Sequence, residues 1–176
     1  MAKIITESGM NFIADNSFHI EKFHTKLKGI KTVEFIRAKG DKLLFMEAKS
    51  SFPNPGNPQL DNIPNFQSQV NDICEKFIHS LNLYASIAIG VNEEFPPDFK
   101  PAVKVSLMFV LIFYNFEQEW CIPIKKALET QLKKSKCIAK IWQPTVLVIN
   151  HEKATKRNLI IDSKDNAKLH TSTSFH

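Results

Sequence analysis

The residues from Thr32 to Ser51 read TVEFIRAKGDKLLFMEAKSS. Glu34 stands in one apolar run, and Glu47 with Lys49 stands in the next. A buried strand disfavours an ionised side chain unless something compensates it, so these three residues call for a chemical explanation. Gly40-Asp41 between the two runs is a hairpin signal. A two-residue loop there sets Lys39 opposite Lys42 and Glu34 opposite Glu47. In an antiparallel ladder that pair falls in a non-hydrogen-bonded position, with β-carbons roughly 4.5–5.5 Å apart. Lys49, two residues beyond Glu47, projects from the same face. Two carboxylates and an ammonium therefore converge at the open end of one hairpin.

Two like charges face to face destabilise a sheet. One carboxyl keeps its proton unless a cation sits between the two. A hard divalent ion suits such a pair, and Mg2+ typically takes one or two carboxylates together with waters and a substrate phosphate. Mg2+, or Mn2+ in its place, polarises a phosphoryl oxygen and generates hydroxide. Lys49 can then position the water or stabilise developing negative charge. The plainer alternative is an ion pair of Lys49 with Glu47 or Glu34 at a partly exposed strand end, and spacing alone leaves both open.

The surrounding pattern supplies the elements that would position these groups. Lys3–Phe12 reads as a short opening helix, SFHIEKFHTKL from Ser17 as a strand, KGIK from Lys28 as a turn, and the two runs about Gly40-Asp41 as two further strands. Pro53, Pro55, Pro58 and Pro64 mark a loop. A helix should follow, with Phe66, Val70, Ile73, Phe77, Ile78 and Leu81 on one apolar face. YASIAIGV from Tyr84 reads as a short strand. VKVSLMFVLIFYN reads as a central strand, apolar on both faces. IPIKKALETQLKKSK reads as a helix with Ile124, Leu128 and Leu132 inward, and PTVLVINHE as a last strand. The expectation is an α/β (α+β) domain over residues 1–165, followed by a polar tail at 166–176.

At 176 residues the chain is long enough to bury one core. Cys74, Cys121 and Cys137 are widely spaced, which fits neither a disulfide framework nor a zinc site and points to a reducing, cytoplasmic setting. The apolar run Val105–Phe113 is too short to span a bilayer, and no membrane partner is expected. Up to Trp120 there are 12 Lys and Arg against 14 Asp and Glu; from Cys121 onward there are 11 against 4. A basic C-terminal third can face a polyanion or form a solvated surface. No glycine-rich phosphate loop is present, which argues against an ATP-driven enzyme.

An acid, then about a dozen residues, then Glu-x-Lys on the adjoining strand resembles the PD-(D/E)XK, or restriction-endonuclease-like, nuclease superfamily. Here the motif is Glu34 followed by Glu47-Ala48-Lys49, and the likeness covers roughly Lys3 to Asn115. It implies a mixed central β-sheet flanked by helices with core order α-β-β-β-α-β, to which the residue pattern adds a C-terminal helix and strand. It implies Mg2+-dependent hydrolysis of phosphodiester bonds in DNA, with Glu34 and Glu47 as metal ligands and Lys49 as the catalytic lysine. Glu7 becomes a candidate third ligand reaching in from the opening helix; Glu21 is a weaker candidate. The sequence departs from the pattern in having Glu rather than Asp as first acid and Val33 rather than proline before it. The superfamily also contains catalytically silent members that act as nucleic-acid or protein binding modules, so that alternative stands beside the nuclease. Gln67 and Gln69, at the start of the following helix, are candidates to touch phosphate. Lys125, Lys126, Lys133, Lys134, Lys136 and Lys140 are candidates for non-specific backbone contacts. Cutting both strands of a duplex would call for two copies, a possible homodimer.

Overall fold

In a computed structural model the chain is described over residues 3–23, 28–55, 62–91, 94–101 and 104–161. Its centre is a five-stranded sheet in the order β3 (Ser17–Phe18), β4 (Phe35–Lys39), β5 (Lys42–Lys49), β6 (Ser106–Phe113) and β7 (Thr145–Asn150). β3–β4 and β4–β5 pair antiparallel, whereas β5–β6 and β6–β7 pair parallel. The sheet is thus mixed and flanked by helices. The hairpin register is the one Gly40-Asp41 dictates: Lys39 faces Lys42 and Phe35 faces Met46. Gly40 carries φ +59 while Asp41 is not left-handed, the pattern of a II′ turn with glycine first.

The alternation of β5 sorts its side chains. Leu43 and Phe45 join the core beneath α2 (Asn62–Ala88) and α3 (Gln118–Lys133). Leu44, Met46 and Ala48 join a second core on the other face. That second face is covered by a small sheet of β1 (Ile4–Glu7), β2 (Met10–Ile13) and β8 (Ile160–Ile161), with α4 (His151–Lys156). A single π-helical turn, Ile138–Trp142, links α3 to β7.

Several sequence expectations are corrected. Lys3–Phe12 is not a helix but the β1–β2 hairpin, because Ser8 (φ 49) and Gly9 (φ 78) supply the two left-handed residues of a I′ turn. The run from Ser17 extends only to Phe18 before the short helix α1 (Ile20–Phe23) begins; His24–Leu27 lie outside the described residues. YASIAIGV is not a strand: its first five residues, Tyr84 to Ala88, end α2 and the last three form a turn. Tyr84 and Ile87 prolong the apolar face of Phe77 and Leu81, and Gly90 (φ +76) follows where the helix stops. Pro64 lies in the first turn of α2, where its missing N–H has no intrahelical partner to lose. The tail at 166–176 lies outside the described residues.

Candidate active site

The site lies where β5 ends. By period 2, Glu47 and Lys49 project on the same face as Phe45, towards α2. Glu47 is fully buried. Its Oε1 is 2.7 Å from the Lys76 ammonium and 3.2 Å from the Lys49 ammonium. Its Oε2 is buried and has no hydrogen-bond partner among the described residues. A buried polar atom left in that condition costs about 1–3 kcal/mol, so Oε2 marks a place where a cation or donor would be stabilised.

Glu34 immediately precedes β4, one residue beyond the last ladder pair Phe35–Met46, so it is not a strand residue as the sequence suggested. The register nevertheless brings it alongside Glu47. Burial pushes its carboxyl up to about 8; a side-chain hydrogen bond to Glu21 and the charges of Glu47, Glu21 and Glu7 act in the same direction. At neutral pH the Glu34 carboxyl is therefore largely protonated. Burial likewise raises Glu47, against the opposing pull of Lys76 and Lys49. Burial alone would lower Lys76, but Glu47, backed by Glu34 and Asp72, raises it, so the ammonium stays charged.

Helix α2 sets much of this geometry. Lys76 holds Glu47, and one turn later the Ser80 hydroxyl accepts the Val33 backbone N–H at 2.9 Å, fixing the residue before Glu34. Lys31 bonds Asp72 at 2.8 Å and Glu75 at 2.9 Å, and its backbone N–H donates to His79 Nδ1. The approach to β4 is thus tied to one side of the helix. Lys76 and Ser80 escaped the sequence reading. Their only signal was their position: Lys76 follows Ile73 by three residues and Ser80 follows Phe77 by three, so both border the apolar stripe.

Glu7 ends β1, a strand rather than a helix, and the Ser8 hydroxyl next to it donates to the Ala48 carbonyl, between Glu47 and Lys49. Its charge is felt by Glu34, and its Oε1 lies 3.6 Å from His19 Nε2. His19 is stacked parallel to Phe35, and burial lowers its pKa, so the ring is neutral. Glu21, on α1, is exposed but bonded to Glu34.

The remaining candidates divide. Gln69 precedes Lys76 by seven residues, about two turns, and so shares its side of α2. Gln67 precedes it by nine, about half a turn out of phase, and its amide bonds Asn71 on the exposed face at 2.9 Å. Gln67 is accordingly placed away from the site. Lys125, Lys126, Lys133, Lys134, Lys136 and Lys140 lie on the basic C-terminal part of the surface. They do not form one strip. Lys134 lines a cavity of about 710 Å3 between α2 and α3 that also includes Lys31, Asp72 and His79. Lys125 and Lys133 line another of about 490 Å3 bounded by Thr145 and Val146 of β7.

Among the described residues no three His, Cys, Asp or Glu side chains converge closely enough to hold a metal ion between them. Glu7 lies 3.6 Å from His19, Glu21 is hydrogen-bonded to Glu34, and the charge of Glu47 acts on Glu34. A pair of carboxylates is still a sufficient protein contribution for Mg2+, which keeps most of its waters, and the unpartnered Glu47 Oε2 is the atom that fits this use. No described helix is long and apolar enough to cross a membrane, and the three cysteines are free thiols. Compared with known proteins, the chain matches no family model, no curated protein and no solved structure.

Proposed function

We propose that the chain is a nuclease of the restriction-endonuclease-like kind, dependent on Mg2+ or Mn2+, that hydrolyses phosphodiester bonds in DNA. The observation that carries this reading is Glu47: a fully buried carboxylate with one oxygen bracketed by two ammoniums, the other unpartnered, and a second acid beside it. The run β4-β5-α2-β6 supports it, since it gives two strands, a helix and a further strand in the order the motif's resemblance implies, although α1 separates β3 from β4 and a hairpin stands where the resemblance implies an opening helix.

In this reading Glu34 and Glu47 provide the protein ligands, and a divalent ion bound there would supply Lewis-acid polarisation and a water of lowered pKa. Glu34 must release its proton to serve, so cation uptake is coupled to proton release. Lys49, more exposed than Lys76 (24% against 16%), is the ammonium placed to meet a phosphate at the strand end. It offsets negative charge as water's oxygen bonds to phosphorus and the leaving oxygen departs. Gln69 and the exposed lysines contribute contacts to the nucleic-acid backbone. A second reading, a catalytically silent binding module of the same fold, is favoured by one fact: Lys76 already neutralises Glu47 without any added ion.

Cleavage separates the two. The purified chain should nick plasmid or cut single-stranded DNA with Mg2+ or Mn2+, stop with EDTA, and lose activity in Lys49→Ala while that variant keeps its fold. Undiminished cleavage by Lys49→Ala would remove the catalytic assignment, and no cleavage by the wild type would leave the binding module.

A further inference from the structure

The two ammoniums on Glu47 come from different elements. Lys49 belongs to the same strand as Glu47, whereas Lys76 reaches across from α2. Both point to the same oxygen, Oε1, at 3.2 and 2.7 Å. Lys76 has other acids within reach of its charge, but Asp72, one turn before it, is bound by Lys31 at 2.8 Å. Lys31 also takes Glu75. Lys76 is thereby left to Glu47 as its bonded partner, and only Oε2 of that carboxylate remains open.

We propose that Lys76 acts as a built-in cation: it occupies Oε1 of Glu47, holds the carboxylate so that Oε2 is the oxygen left for a ligand, and limits the site to one divalent ion. This rests on the reading that Glu34 and Glu47 bind such an ion. A second ion on Oε1 would have to displace an ammonium already in contact, and would sit beside the Lys49 charge as well. Lys76 is a positioning residue here, acting through Glu47 rather than on the substrate. Its helix also carries Ser80, which holds Val33, so the element that chooses the oxygen of Glu47 also sets the approach of Glu34.

The test is the number and affinity of Mn2+ ions bound by the metal-free full chain, counted from the electron paramagnetic resonance signal of unbound Mn2+. The wild type should take one ion per chain. Lys76→Gln keeps a donor for Oε1 but removes the charge; it should bind Mn2+ roughly tenfold more tightly or admit a second ion. Lys76→Arg keeps the charge and should retain the wild-type count and affinity. Two ions on the wild type would overturn the proposal whether or not any variant folds. So would wild-type binding by Lys76→Gln, or an arginine variant that behaves like the glutamine one; in these cases the cation-dependent nuclease reading survives. A wild type that binds no Mn2+ overturns that reading and this proposal together.

Discussion

Replacing Glu34 by Gln should stabilise the metal-free protein, and the gain should grow with pH. Glu34 has its pKa raised from 4.5 to about 8 in the folded chain. Between these values the folded state holds a proton that the unfolded state has released, so stability falls as pH rises through this window and the cost is complete above about 8. A tenfold change in proton affinity is about 1.4 kcal/mol, which makes the undiscounted cost about 5 kcal/mol. Glu34 is only partly buried, and screening by water reduces this to roughly 2 kcal/mol. The amide introduced by Glu34→Gln can still donate to Glu21 as the protonated carboxyl does, without ever ionising. Melting curves of both proteins in EDTA should therefore coincide within error near pH 5 and separate by roughly 4–8 °C near pH 9. Titrating groups remote from Glu34 are common to both proteins and drop out of the difference, whereas Glu21, Glu47 and Lys76, which interact with Glu34, contribute to it. A difference independent of pH, or a variant less stable at every pH, would refute the placement of Glu34 among the other acids.

Ser80→Ala should cost about 1–3 kcal/mol in urea unfolding, because the buried Val33 N–H loses the hydroxyl that accepts it; an unchanged midpoint would mean that this bond does not fix the strand approach. Affinity for DNA should fall with salt, and replacing Lys133, Lys134 and Lys136 by Gln should reduce the slope of log K against log salt by up to about 2.7. An unaltered slope would return those lysines to the role of a solvated surface.

The hairpin is the most legible part of the chain. Gly40-Asp41 punctuates two period-2 runs, and that alone sets the register and brings Glu34, Glu47 and Lys49 to one end. The face of α2 from Phe66 to Leu81 is equally plain, because apolar spacing sustained over that length leaves little else to form. What escapes is chemistry that only tertiary packing creates. A lysine beside an apolar stripe ordinarily extends its ammonium to water, and nothing local to Lys76 says that a buried carboxylate waits opposite. Ser80 is silent for the same reason. Ser8-Gly9 is a turn signal hidden under a weak helical pattern, and it makes Glu7 the end of a strand instead of part of a helix. Tyr84 to Val91 alternates over a few residues while also continuing the helical period; burial of Tyr84 and Ile87 against the core decides for the helix.

Cation binding by the two acids can be measured without substrate, as the melting temperature of the wild type and of Glu34→Gln with and without Mn2+. At free Mn2+ roughly ten times its dissociation constant, linkage stabilises the wild type by about 1.4 kcal/mol. For a domain of this length that is a rise of about 3–6 °C. Glu34→Gln should lose most of the rise, because a neutral amide replaces an anionic ligand. A wild type with no shift up to about 10 mM, where ordinary magnesium-type sites fill, or a Glu34→Gln protein that keeps the full shift, would contradict the account and leave Glu47, Lys49 and Lys76 as a buried ion-pair cluster with a structural role.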